Sequence, residues 1–167
     1  MIDIINKRIR RPFFDFLFFN ITNLANLESV FIFVLALVVF KKSRLLGIEV
    51  FISLAISSII VQILKRLFSR NRPYWIIENL NTYGIDLRDY SFPSGHTTAS
   101  FCIAVIFFLN YINIGIGFLI LAFLIAISRI YLAVHYPTDV LAGIIIGTIT
   151  SLIVHYKIIY VIFRYIK

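Results

Sequence analysis

Charge is what this sequence is short of. Only 14% of its 167 residues are Asp, Glu, Lys or Arg, against about 25% in an ordinary soluble domain. Cysteine occurs once, as Cys102, so no intrachain disulfide can form. Set in an apolar segment, it reads as a small helix-packing residue. With four prolines and seven glycines there is no low-complexity run, no internal repeat and no sign of a second domain. What fills the chain instead is apolar: 60% of residues are hydrophobic and the mean hydropathy is +0.95. A soluble domain of this size has too much surface for its volume to hide that much apolar side chain. A water-soluble globule and a disordered chain are both excluded. What remains is a single all-α domain, residues 1–167, built as a polytopic transmembrane helix bundle with room for about five spans.

The formal net charge is +8, from 16 basic and 8 acidic residues. The basic residues fall between apolar runs, as in loops at an anionic lipid surface. The expected partner is therefore the lipid bilayer and not nucleic acid. The opening MIDIINKRIRRPFFDFLFF is basic and then briefly apolar, but Asp15 and Asn20 interrupt it. No small-residue cleavage site follows, so it reads as an uncleaved segment. Residues 12–27 are aromatic and amphipathic and read as an interfacial helix, with a short tilted span as the alternative. Five spans are expected at 27–40, 45–64, 97–109, 114–127 and 138–154. Gly143 and Gly147 in the last of them have small-xxx-small spacing, a helix-packing signal. The tail from His155 either extends that span or lies at the interface. Glu28 and Glu49 read as surface-near or paired residues, and His155 as a residue without a partner motif.

This order of spans sends the polar segments 65–73, 91–96 and 128–139 to one membrane face. Ionisable groups gathered at one helix-end cluster mark a candidate site. Lys65 and Arg72, seven apart, share a helical face if the second span runs on to Arg72. Arg129 closes the fourth span. Three cations together repel one another unless an anion joins them, and the loop acids Glu78, Asp86 and Asp89 are available to pair with some. Pro93, Ser94 and Gly95 make a turn directly before an apolar helix, where free backbone N–H groups form an anion cradle. Ser94 adds a hydroxyl, Gly95 permits close approach, and His96 stands at the edge. His135 and Asp139 are four apart, a spacing that lets a carboxylate orient an imidazole. With no cysteine and few carboxylates, this set suits an oxyanion and is a poor metal site.

Lys65…Arg72-Pro73, Pro93-Ser94-Gly95-His96 and Ser128-Arg129…His135…Asp139 match, in order and spacing, KxxxxxxRP, PSGH and SRxxxxxHxxxD. The chain thus resembles a membrane member of the type 2 phosphatidic acid phosphatase (PAP2) superfamily, with a motif core at 65–139. The resemblance implies that His135 is a nucleophile forming a phosphohistidine and that Asp139 holds its ring. It implies that Lys65, Arg72, Arg129, Ser94 and the Gly95 N–H bind phosphoryl oxygens, and that His96 serves as acid and then base. It implies no metal and no other cofactor. The chain departs from the family outside the motifs: the first helix of the usual six is replaced by the amphipathic 12–27 segment.

A site at the membrane surface implies a lipid phosphate or diphosphate substrate. Small family members resembling this one act on undecaprenyl diphosphate, the expected substrate; phosphatidic acid or phosphatidylglycerophosphate is the alternative. A vanadate-dependent haloperoxidase and a non-catalytic lipid-binding or lipid-moving membrane protein are the rivals from other classes. Charge leaves sidedness close to balanced: Lys41, Lys42, Arg44, Lys157, Arg164 and Lys167 stand opposite the motif cations and Arg66, Arg70 and Arg88. The family habit is an active site on the outer face of the cell membrane.

Overall fold

The computed structural model describes residues 2, 5, 6 and 10–159, and among them the regular structure is entirely helical. The helices are α1 (Pro12–Asn23), α2 (Leu27–Val39), α3 (Arg44–Phe68), the short α4 (Pro73–Ile76), α5 (Gly95–Asn110), α6 (Ile112–Tyr131) and α7 (Pro137–Ile153), which a π-helical turn, Val154–Ile159, continues. Pro12, Pro73 and Pro137 each open a helix, where the missing N–H costs nothing and φ is already set. Lys157 lies in the π-helical turn. Residues 7–9 of the basic opening, and Arg164 and Lys167 of the tail, lie outside the described residues.

Helices α3 and α6, and α7 together with its π-helical continuation, are each long and apolar enough to cross a bilayer. Helices α1 and α2 meet at a 52° bend, and the pair has the length and apolar composition of a broken span or a re-entrant loop. At 13 residues, α2 alone is about 20 Å long, short of the roughly 30 Å of a hydrocarbon core. The 16-residue α5 is also short, but it is the centre of the bundle and packs against α3, α6 and α7. The expected spans at 45–64, 97–109, 114–127 and 138–154 all begin late or end early. Polar residues of the helix-end turns, Lys65, His96 and Arg129 among them, hide those turns from a hydropathy reading. The condition for Lys65 and Arg72 to share a helical face is not met: α3 does not reach Arg72. It stops at Phe68, and Ser69 caps it in the left-handed region at φ 42°.

Two apolar clusters hold the bundle. Val30 and Val34 of α2 meet Leu46 and Val50 of α3 and Ile103, Ile106 and Phe107 of α5. On the other side, Phe101 and Ala104 of α5 pack on Ala122 and Ala126 of α6 and Val140 of α7. Phe31, Ile59, Ile120, Phe123 and Ile149 are exposed on the outside, as lipid-facing residues must be. Helix α1 packs on α6, with the Phe18 and Tyr131 ring centroids 4.8 Å apart. At the end opposite the motifs, Glu49 is buried and accepts hydrogen bonds from Asn110 Nδ2 (3.0 Å) and His155 Nδ1 (2.6 Å). His155 therefore does have a partner, and the trio ties the end of α7 to α3 and α5.

The glycine pair performs its expected task. A Cβ on Gly143 would lie 2.8 Å from the Ser94 carbonyl oxygen, and one on Gly147 would lie 2.6 Å from that of Thr98. Glycine thus lets α7 lie directly on the first turns of α5, where the PSGH motif sits. We expect Gly147→Val to cost about 1–3 kcal/mol, read as a lower melting temperature in detergent. An unchanged melting temperature would show that the two helices can separate freely.

Candidate active site

Lys65, Arg72, Gly95, His96 and His135 line one cavity of about 160 Å³, together with Asp89. Lys65 comes from the last turn of α3. Beyond Ser69 the chain is non-helical to Arg72, so alternate residues point the same way and Arg70 and Arg72 both turn inward. Arg72 is 1% exposed. Its Nη1 donates to the Val134 carbonyl (2.9 Å), its Nε to the Asp89 carbonyl (2.7 Å) and its Nη2 to Asp89 Oδ1 (2.6 Å). Lys65 Nζ donates to Asp89 Oδ2 (2.5 Å) and to the Tyr90 carbonyl (2.8 Å). Of the three loop acids, only Asp89 pairs with a cation among the described residues. Burial opposes its ionisation, but Lys65 and Arg72 outweigh this and hold the carboxyl below its ordinary range.

His135 lies in the buried connection between α6 and α7, where Ala133 adopts φ 55° and the N–H groups of Val134 and His135 both turn back to the Arg129 carbonyl at 3.2 Å. Its Nε2 is 3.3 Å from Arg72 Nη1. Arginine can only donate, so Nε2 accepts and the ring proton sits on Nδ1. That nitrogen is 3.4 Å from Ser91 Oγ and 3.6 Å from Asp139 Oδ2. Ser91 in turn donates to Asp139 Oδ2 at 2.5 Å. The order is imidazole, serine, carboxylate. Burial lowers the His135 pKa; Asp139 pulls it up, but Arg129, Arg72 and Lys65 push it further down, to about 3. The ring is neutral at physiological pH, with its unprotonated nitrogen facing the cations.

Asp139, at the start of α7, is fully buried. It accepts from Ser91, from the Tyr136 N–H (2.8 Å) and from Arg70 Nη1 (2.7 Å). Arg70 also stacks 3.9 Å above the Tyr136 ring. Assigned to the membrane-surface charge by sequence, Arg70 instead clamps the site carboxylate; the surface reading misses it because Arg70 holds an unspecified position of the first motif. The Ser94 N–H donates to the Asp139 carbonyl at 3.0 Å and its hydroxyl accepts from Thr97. A Cβ built on Gly95 meets no atom within 4 Å, so the approach to this backbone is open. His96 Nε2 donates to Asn26 Oδ1 at 2.8 Å.

Arg129 and Ser94 lie behind the cavity wall. Arg129 is 1% exposed, and its Nη1 donates to Thr22 Oγ1 of α1 at 2.6 Å. Its Nε and Nη2 are buried and have no partner among the described residues. A buried guanidinium with two unsatisfied donors is costly and matches what an oxyanion needs. Ser91, Arg70, Thr22 and Asn26 carry no motif of their own. Arg70 falls at an unspecified position inside the first motif, and Ser91 stands two residues before Pro93.

Residues 46–162 match the sequence model of the PAP2 superfamily. The chain belongs to that superfamily. Among its relatives is a Bacillus licheniformis protein named bacitracin transport permease protein BcrC, 38% identical over 68% of this chain and 56% of its own length. A Sulfolobus acidocaldarius undecaprenyl-diphosphatase is 35% identical over 72% of this chain and 60% of its own. The chain thus matches little more than half the length of these curated relatives. The crystal structure of Aquifex aeolicus LpxE superposes with a TM-score of 0.80 at 30% identity, covering 92% of both chains. As in the PAP2 pattern, the three motifs come from the end of one helix, the start of the central helix and the connection between the last two. The chain is an integral membrane protein, with this cluster at one end of its bundle.

For this PAP2 site we expect the ring of His135, followed by nitrogen-15 NMR in detergent, to show a neutral Nδ1–H imidazole at pH 7. It should stay neutral as pH falls to about 4 and gain a proton only near 3. Protonation near the ordinary histidine value of about 6.5 would refute the buried, cation-facing environment.

Proposed function

We propose that this protein hydrolyses a lipid phosphate or diphosphate, most effectively undecaprenyl diphosphate, without a metal and through a phosphohistidine. The observation that carries the reading is the buried guanidinium of Arg129, with two donors unsatisfied behind a cavity lined by Lys65, Arg72, Gly95 and the two histidines. This is a site built for an oxyanion whose charge grows in the transition state.

In the first step, His135 Nε2 attacks phosphorus and the bond to the leaving oxygen breaks. Arg72, already against Nε2, together with Lys65, Arg129, Ser94 and the Gly95 N–H, takes the phosphoryl oxygens. As Nε2 becomes bonded, charge on the imidazole is balanced through Nδ1–H by Ser91 and Asp139, which Arg70 holds in place. His96 gives a proton to the leaving oxygen. In the second step, His96 takes a proton from water, the water oxygen attacks phosphorus and the P–N bond breaks, releasing phosphate and free His135. The neutral resting state of His135 supports its role as nucleophile. Asn26 fixes the His96 ring at the cavity edge.

The lipid part of the substrate is supported by an apolar groove of about 720 Å³ between α2 and α3, lined by Leu27, Val34, Leu35, Phe51 and Leu54. It shares Gln62, Gly95, His96 and Ala99 with the polar cavity. A second groove on the other flank of α2 touches none of the phosphate-binding or histidine residues. One groove at the site suits one long chain better than two, which favours a polyprenyl diphosphate over a diacyl lipid. The name of the Sulfolobus relative agrees with that choice.

Purified protein should release phosphate in detergent containing a chelator, with its highest kcat/KM on undecaprenyl diphosphate among that lipid, undecaprenyl phosphate, phosphatidic acid and phosphatidylglycerophosphate. His135→Ala should lose about a thousandfold or more, along with the acid-labile phosphoprotein trapped by rapid quenching. Full activity in that variant, or strict dependence on added metal, overturns the mechanism; anionic-lipid binding with no phosphate release supports a lipid-moving protein instead.

We place the site on the outer face of the cell membrane, with the basic turn containing Lys41 and Lys42 inside. Glu78→Cys, exposed in the loop on the site face, should react with an impermeant maleimide in intact cells when the buried Cys102 is replaced by Ser. Labelling only after permeabilisation would reverse the assignment.

A further inference from the structure

We infer that Asp89 sets the affinity threshold of the site: its carboxylate acts as the site's own counter-anion, so that a phosphate without an apolar chain binds too weakly to occupy it. The inference rests on the phosphoryl-binding reading above and adds to it the class of phosphate that the site rejects.

The geometry separates two roles that one residue could play. Asp89 Oδ2 lies 2.5 Å from Lys65 Nζ and Oδ1 lies 2.6 Å from Arg72 Nη2. These are two of the cations assigned to the phosphoryl oxygens, and a carboxylate on them competes with phosphate. Placement of the cations, however, has other supports. Lys65 also donates to the Tyr90 carbonyl, and Arg72 to the carbonyls of Asp89 and Val134. Main-chain oxygens therefore aim both side chains, and the carboxylate chiefly supplies charge.

Exposure points the same way. The Lys65 and Arg72 side chains are 6% and 1% exposed, whereas that of Asp89 is 51% exposed. The carboxylate reaches in from the open side on a loop between α4 and α5, and it can swing out without unpacking a helix. It also lines both the polar cavity and the apolar groove, so a headgroup arriving along that groove meets it first.

Displacing Asp89 costs every phosphate the same free energy. A lipid substrate offsets it with the chain it lays in the groove, but inorganic phosphate and small soluble esters have nothing to offset it with. The same penalty helps expel product phosphate after the second step. Asp89 thereby converts a site that would bind any phosphate into one that needs an apolar chain.

The test uses the full-length protein in detergent, with Asp89→Asn and Asp89→Ala beside wild type. Inorganic phosphate binding is measured by calorimetry, and kcat/KM is measured for para-nitrophenyl phosphate and for undecaprenyl diphosphate. Inorganic phosphate should bind both variants about tenfold or more tightly, and kcat/KM should rise by a similar factor for the soluble ester and for the lipid. Unchanged or weaker phosphate binding in folded variants overturns the proposal. So does failure of both variants to fold, because the carboxylate would then be structural. Because binding is read without turnover, tighter binding in a protein that releases no phosphate from lipid supports the counter-anion and defeats only the hydrolase reading. An active wild type whose variants show no tightening defeats only the counter-anion.

Discussion

Like charges brought together in a poorly solvated place are the constraint on which this structure turns. Lys65, Arg72 and Arg129 are all buried at one end of the bundle, where mutual repulsion is far stronger than in water. The chain answers with one carboxylate and a set of carbonyls. Asp89 serves Lys65 and Arg72; main-chain oxygens of residues 89, 90 and 134 take much of the rest. Asp139 is committed to Arg70 and Ser91 and is not free to neutralise these three cations. Among the described residues Arg129 has one hydrogen-bond partner, the neutral Thr22. The positive charge left without a counter-ion is therefore that of the buried Arg129.

Helix packing serves that electrostatic arrangement. The cradle is a helix start, and a helix start can accept an anion only if its first N–H groups are otherwise uncovered. Glycines at 143 and 147 let α7 lie so close to α5 that the Ser94 N–H reaches the Asp139 carbonyl. That bond fixes the distance between the PSGH turn and the carboxylate behind His135. A larger residue at either glycine would widen the gap between the two motifs as well as weaken the bundle. The buried connection 132–136 does the corresponding work for His135, which hangs from the Arg129 carbonyl through two N–H groups.

How much of this could be read beforehand depends on what kind of signal each residue carries. Lys65, Arg72, Gly95, His96, His135 and Asp139 stand in spaced motifs, and the alternation of spans sends them all to one end. Their convergence was legible because it follows from topology. The bend after Asn23 was not, since residues 24–26 show no proline or glycine and the amphipathic stretch allows two orientations. Arg70 was hidden for a different reason. It lies in the polar segment after the second span, and nothing local announces that Ser69 turns left-handed at φ 42°. Once the chain leaves the helix there, Arg70 and Arg72 share a side, and a presumed surface cation becomes the clamp on Asp139. Ser91 and Asn26 are small polar residues in turns, a type too common to single out without coordinates.

The first helix pair reaches the residues of the site directly. Helix α1 contributes Thr22, the partner of Arg129, and the turn after it contributes Asn26, the partner of His96. A straight continuous helix through 12–39 would place these two side chains about six ångströms apart along one axis, with no break to let the turn lean over the cavity edge. The 52° bend sets α1 against α6 while α2 packs on α3. The same bend leaves an apolar groove beside α2 that runs into the polar cavity. The segment 12–39 is thus a wall of the site: Asn26 holds His96, Thr22 is bonded to Arg129, and α2 borders the apolar groove that runs into the polar cavity.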